Sequence, residues 1–332
     1  MAVNTSLKRA MAWGLLRSGA LSLHRSRFER GRAIILLYHR VNDGRDPFFP
    51  ANPVAQFTGQ VEYLARRYRV EPLDAVVDWL DEGAPGPPRV AVTFDDGYAD
   101  THDVVLPVLE RRGIPATLFL NTAPPETGEP LWTDRTRSLF KHTKTSTVSL
   151  PTLGIELPLD STPARLAAVV RVMAVMKRLP PTGIALVLRQ LEEQLGRGEA
   201  PPTVLDWDQI RRMTRGPISL GAHTHRHYLL STLGDDELFT EVETSMRLIR
   251  ERVGVTVTSF AYPNGEREDY DARSIEVLRR LGLRYATTCR HGFAWPSQPR
   301  FEISRVYGKE PFLALFAARL AGLSPETRRA NP

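Results

Sequence analysis

From Gly31 onward the chain alternates short apolar runs of strand length with stretches whose apolar residues recur at helical spacing. Ala33–Tyr38 (AIILLY) is the first continuous run, followed by His39 and a polar, proline-containing loop. Phe57 to Tyr68 has helical spacing, with Phe57, Val61, Leu64 and Ala65 on one side. Arg89 to Phe94 (RVAVTF) reads as a buried strand that delivers Asp95 and Asp96 at its C-terminal end. A short helix from Val104 to Arg112, stopped by Gly113, and a strand at Ala116–Leu120 complete a strand-helix-strand unit with an expected right-handed parallel crossover. Further strands are expected at Ile218–Ala222, Val257–Tyr262 and Tyr285–Thr288, separated by helices near Asp235–Val253 and Ala272–Leu281. This alternation predicts an α/β fold with largely parallel strands. Wound into a ring, such a chain gathers the loops after its strands on one face, where catalytic groups of barrel enzymes sit.

Residues 123–206 break the rhythm. A Pro/Gly loop, a segment from Leu131 to Thr145, a strand pair near Val148–Leu157 and a helix from Ile184 to Leu195 read as an insertion packed on the barrel that shapes access to it. No repeat of solenoid period and no low-complexity tract interrupts the chain.

With 332 residues, 42% of them hydrophobic and 25% charged, the chain can bury a substantial core, which excludes disorder and fibrous repeats. The single cysteine, Cys289, excludes an internal disulfide framework and any cluster of thiolates, so a metal site must draw on histidine and carboxylate. The net charge of +6 is local: residues 1–32 hold seven of the 44 basic side chains and one of the 38 acidic ones, leaving 37 of each in the body. A neutral body argues against a nucleic-acid groove. Within that arm, Ala10–Leu23 is broken by Arg17 and lacks a small-x-small cleavage site. It therefore reads poorly as a secretory signal and is too short and charged to span a bilayer. Leu7, Met11 and Leu15 at four-residue spacing, with basic neighbours, suit either a helix on an anionic membrane surface or one packed on the body.

The most informative stretch is GAHTHRH, Gly221–His227. His223 and His227 stand four apart, which on a helical turn would put both imidazoles on one side, able to close on one ion. Two histidines four apart are also common by chance; their position just after a predicted strand favours ligation. Thr93-Phe94-Asp95-Asp96-Gly97 empties two carboxylates into a glycine turn. Adjacent side chains on a strand point in opposite directions, so the turn must redirect one of them for both to face one pocket. Two carboxylates there invite separate jobs, one holding a cation and one moving protons, although an ordinary loop or helix-start pair is an equal reading of the dipeptide alone.

The motifs TFDDG, H-T-x-x-H and F-x-Y-P-x-G (Phe260–Gly265), in this order and at strand ends, resemble those of the polysaccharide deacetylases of carbohydrate esterase family 4, over roughly residues 33–307. The resemblance implies a distorted (β/α) barrel of about seven parallel strands, residues 33–332, with a mainly helical insertion at about 123–206 and the basic segment 1–32 in front. It implies Asp95 as general base, and Asp96, His223 and His227 as ligands of a divalent metal, usually Zn2+. The family's histidine acid, usually on a leucine-rich strand near the C-terminus, has no counterpart there; Ile35-Leu36-Leu37-Tyr38-His39 instead resembles the circularly permuted members in which that strand comes first, making His39 the acid. Ala261 stands where many members carry the arginine that orients the base, and Arg305, expected after a last strand, is the candidate replacement. The backbone N–H of Asn264 matches the family's oxyanion donor, while its side chain replaces a frequent aromatic. His225, between the ligands, is expected to point elsewhere.

These residues together imply a metal-dependent hydrolase of carbon–nitrogen bonds other than peptide bonds, removing acetyl groups from N-acetylated hexosamines of a polysaccharide or glycolipid. An O-acetyl carbohydrate esterase and a catalytically silent carbohydrate-binding barrel remain as alternatives. The expected partner is an acetylated glycan or lipid-linked saccharide, with no nucleic acid. The expected location is the cytoplasm, with the arm at the inner membrane face as one of its two uses.

Overall fold

The computed structural model describes residues 31–196 and 203–323. In chain order the elements before the insertion are β1 (Ala33–Tyr38), α1 (Val54–Arg67), β2 (Arg69–Val70), α2 (Leu73–Asp81), β3 (Arg89–Asp96), a π-helical turn at Thr101–Val105 leading into α3 (Leu106–Arg112), and β4 (Ala116–Leu120). The insertion contains α4 (Ala123–Thr127), α5 (Trp132–His142), β5 (Thr147–Leu150), β6 (Ile155–Pro158), α6 (Thr162–Met176) and α7 (Pro181–Leu195). The barrel resumes with α8 (Trp207–Met213), β7 (Ile218–Ala222), α9 (Asp235–Val253), β8 (Ser259–Ala261), α10 (Ala272–Arg280), β9 (Tyr285–His291), β10 (Ile303–Tyr307) and α11 (Leu313–Leu320).

Seven parallel strands close into a ring in the order β1, β3, β4, β7, β8, β9, β10, and β10 returns to pair with β1. The expected distorted α/β barrel is therefore the observed fold. β1 closes it, with Ala33 to Tyr38 in register with Arg89 to Phe94 on one side and Leu36 opposite Val306 on the other. Because every residue of β1 is buried, the strand must be apolar on both faces, which is why AIILLY carries no alternation.

Alternation is nevertheless resolved by what each side chain meets. Ile34, Leu36, Val90, Val92 and Phe94 join the large core between strands and helices. Ala33, Ile35 and Ala91 turn inward and pack with Leu73, Val76, Val77 and Trp79 of α2, so α2 plugs the end of the barrel where the strands begin. The other end stays open for chemistry. β7 approaches β4 closely at Gly221, where a Cβ would lie 2.4 Å from the Phe119 ring and 2.8 Å from Ser259 Oγ.

Local signals account for the helices that hold this shell. α9 begins with Asp235, Asp236 and Glu237, acids that suit the positive helix start, and ends at left-handed Gly254. Asp206 and Asp271 cap α8 and α10 by accepting from the backbone N–H groups of Gln209 and Ser274. The insertion has its own apolar core of α5, β5, β6, α6 and α7, joined by Phe48 and Phe49 from the loop after β1. Except for its last two residues, the basic segment 1–32 lies outside the described residues, as does any membrane role for it. Among the described residues no helix is long and apolar enough to cross a membrane.

Candidate active site

The open end of the barrel holds a cavity of about 450 Å3, and side chains from the ends of six strands meet there with two helices of the insertion. β3 runs two residues further than its apolar stretch suggests, through Asp95 and Asp96. Asp95 keeps the inward direction of Ala91 and Thr93. Asp96, by strand parity, would face outward, but its backbone takes φ +75°, and Gly97 follows at φ +88°. This left-handed pair is the redirection that brings both carboxylates to one pocket.

Asp95 is gripped by Arg305. The guanidinium donates from Nη1 to Oδ1 and from Nη2 to Oδ2, both at 2.7 Å. Its Nε donates to the Thr288 carbonyl at 2.9 Å, and Nη1 also reaches Thr93 Oγ1 at 3.2 Å. With exposures of 1% and 0%, neither charge has water to lean on, so the fork is the main compensation either receives. Burial alone would raise the Asp95 pKa; the Arg305 charge, aided by His223, overcomes it and holds the carboxyl below its ordinary range. Arg305 lies within β10, not after a last strand, and its side chain crosses the barrel interior. It stands where Ala261 leaves no arginine to reach Asp95.

Asp96 meets both histidines. Its Oδ1 lies 3.4 Å from His223 Nε2 and 3.3 Å from His227 Nε2, with the two rings 5.0 Å apart at 66°. The expected helical turn is not what pairs these imidazoles. Residues 223–229 form an irregular loop with left-handed Thr224 and His227, because the chain must leave β7 and fold both rings back over the barrel mouth. Asn121 holds that loop through the carbonyl of His223, Glu241 accepts from the N–H groups of His225 and Arg226, and Trp132 donates to the carbonyl of His227 at 3.2 Å. His225 turns away to Thr122 Oγ1 at 2.9 Å.

This triad suits a divalent cation on its own geometry. His223 Nδ1 donates to the Ala261 carbonyl at 2.7 Å, which leaves Nε2 with its lone pair toward Asp96. Asp96 Oδ1 is buried without a hydrogen-bond partner, and one donor atom from each of the three residues falls within 4.8 Å of the others. Donors bonded at about 2.1 Å with tetrahedral angles stand about 3.4 Å apart, matching the carboxylate–imidazole separations. Burial raises the Asp96 pKa, but the imidazoles more than reverse it and hold the carboxylate ionised; burial takes His227 down to about 3. Anionic oxygen and neutral imidazole are the states a metal ligand needs, and Asp96 and His227 hold them. At His223 burial is outweighed by the Asp96 and Asp95 carboxylates, which raise its pKa, so a cation there would displace a proton.

His39 follows β1 at the rim and lines the same cavity, as does Asn264, left-handed at φ +61° after β8. The Asn264 side chain is pinned at both ends: Oδ1 accepts from Lys177 and Nδ2 donates to Asp269, whose carboxylate also accepts from the N–H of Glu266 at 2.8 Å. All seven sequence-derived site residues thus line the cavity or, for Arg305, touch one that does.

Sequence reasoning expected the insertion to shape access but named none of the residues through which it does so. Asp134 and Arg137 from α5 and Lys177, just after α6, form one wall. Tyr98 donates to Asp134 at 2.9 Å, and burial together with the Asp96 charge lifts the Asp134 carboxyl to about 7. In the sequence, residues 131–145, which hold α5, have no assigned type and α6 is passed over, so which polar face meets the barrel mouth could not be read from it.

Comparison with known proteins adds the lineage. The family model for Polysaccharide deacetylase matches residues 82–286. The Bacillus subtilis (strain 168) protein YxkH is 30% identical over 88 residues, 26% of this chain and 30% of that protein's length. Among solved structures, the Streptococcus pyogenes deacetylase PplD in complex with acetate has a TM-score of 0.60 at 16% identity, over 89% of this chain and 99% of that one. IcaB from Ammonifex degensii has a TM-score of 0.57 at 19% identity, over 88% and 97%. At such identities the structures speak for the barrel alone, while the family match spans more than half of the sequence, including TFDDG, both histidines and the proline motif. The chain belongs to the polysaccharide deacetylase family.

Proposed function

We propose that the protein is a metal-dependent deacetylase that removes the acetyl group from an N-acetylated hexosamine of a glycan or lipid-linked saccharide. The observation that carries this reading is the pairing of a fork-held carboxylate, Asp95, with a separate carboxylate–imidazole triad, Asp96, His223 and His227, across one cavity. The placement of β1 between β3 and β10 supports the further reading that the chain is of the circularly permuted type, with His39 supplied by its first strand.

Asp96, His223 and His227 would hold a divalent cation, zinc best matching two imidazoles and one carboxylate, and when bound it would polarise an acetyl carbonyl and lower the pKa of water to roughly 7. Asp95, kept ionised by Arg305, accepts a proton from the attacking water. Asn264, its turn fixed by Lys177 and Asp269, presents its backbone N–H to the developing oxyanion. His39, at the exposed rim, donates a proton to the departing amine, and acetate and a free amino sugar result.

The test is acetate release by metal-reconstituted protein from a panel of N-acetylated oligosaccharides and glycolipids. Asp95→Asn should keep the metal and lose about 10²–10⁴ in rate; wild-type turnover in that variant removes Asp95 from the role of base. His39→Ala should slow N-acetyl far more than O-acetyl substrates, because an alcohol leaves more readily than an amine; equal slowing would favour the esterase. Acetate release from no substrate would favour a silent carbohydrate-binding barrel.

A further inference from the structure

The charges around the cavity do not balance once its carboxylates are matched. Asp95 is taken by Arg305 and Asp96 by the two imidazoles, and Asp134 accepts from Tyr98. Arg40 is paired with Asp100 at 3.4 Å. Lys309 is exposed at the rim with its ammonium 4.7 Å from the centre of the Tyr307 ring. Arg137 and Lys177 are left over. Among the described residues Arg137 makes no direct hydrogen bond or ion pair; the Asp134 carboxyl, one turn before it on α5 and raised toward neutrality by burial, feels its charge only through space. Lys177 Nζ donates only to a neutral acceptor, the Asn264 amide oxygen.

Both side chains are half-buried, and burial together with the Arg137 charge depresses the Lys177 pKa. Two partly desolvated cations that repel each other at the mouth of a site are a cost unless something anionic occupies the space between them. A neutral sugar offers hydroxyl groups and leaves that cost in place. An oxyanion takes a planar fork from arginine and a point charge from lysine.

We infer that the substrate is an acetylated saccharide carrying an oxyanion, a phosphate ester or a uronate carboxylate, and that Arg137 and Lys177 of the insertion select it. This deepens the deacetylase reading and rests on it. It also gives the insertion a purpose: both residues come from its helical part, while the reacting groups come from the barrel.

The experiment compares N-acetylglucosamine, N-acetylglucosamine 1-phosphate and an N-acetylated disaccharide containing a uronate, by acetate release and by calorimetric binding to the metal-loaded full chain. At least one anionic sugar should exceed the neutral one by about tenfold or more in kcat/KM and in affinity, and that ratio should fall by roughly tenfold in Arg137→Gln and in Lys177→Met. Which anionic sugar is preferred assigns phosphate or carboxylate. Equal values for all three sugars, or variants that lower all three in proportion, overturn the inference. If no sugar is deacetylated, the deacetylase reading fails by itself, and the binding ratio still decides whether Arg137 and Lys177 select an anion.

Discussion

At the scale of single residues, the Asp95–Arg305 fork has consequences for stability as well as chemistry. Both groups are fully buried and each is the other's main compensation, so Arg305→Ala leaves an ionised carboxylate stranded and should destabilise the fold by about 3–5 kcal/mol, read from chemical denaturation. Asp95 binds its proton less readily in the folded chain than in the unfolded one. Its contribution is therefore complete above the ordinary carboxylate pKa of about 4, and it drains away as pH falls below that toward the lower folded value. Wild-type stability should drop more steeply than that of Asp95→Asn in this acid window; parallel curves would mean that the fork contributes no pH-dependent stability. The identity of Arg305 was within reach of the sequence, because a missing arginine at Ala261 demands a donor elsewhere, but its direction into the barrel was not.

At the scale of elements, legibility followed burial. β4, β7 and α9 fall on the residues their patterns predict, since strands covered on both faces read as unbroken apolar runs and a long helix has room to show its period and caps. β10 did not show itself as a strand, because Arg305 sits at its centre and a buried charge is what strand patterning excludes. α2 was overlooked although Leu73, Val76, Val77 and Leu80 carry helical spacing between Pro72 and Gly83. The loop from His223 to His227 was misread as a helical turn, since spacing of four is shared by a turn and by a loop that doubles back through left-handed residues. Between elements, β7 and β4 meet at Gly221 with no room for a methyl group. Gly221→Ala should cost about 1–3 kcal/mol and lower the melting temperature, with the histidine loop displaced in the same variant; an unchanged melting temperature would show that Phe119 moves aside freely.

At the scale of the whole molecule, the barrel and the insertion divide the work. The ring of seven strands, plugged at one end by α2, fixes Asp95, Asp96, His223, Asn264 and Arg305 in one frame, while the insertion's separate core sets Arg137 and Lys177 along the rim. That a family match, a closed ring and a donor triad coincide makes the bound cation the point on which the functional reading turns. Metal content per chain, measured by mass spectrometry after reconstitution and buffer exchange, tests it most directly. One divalent ion per chain is expected for the wild type and for Asp95→Asn, with loss of that ion in folded Asp96→Asn, His223→Ala and His227→Ala. An ion retained undiminished by all three ligand variants, or a wild type that takes up none, would contradict the account.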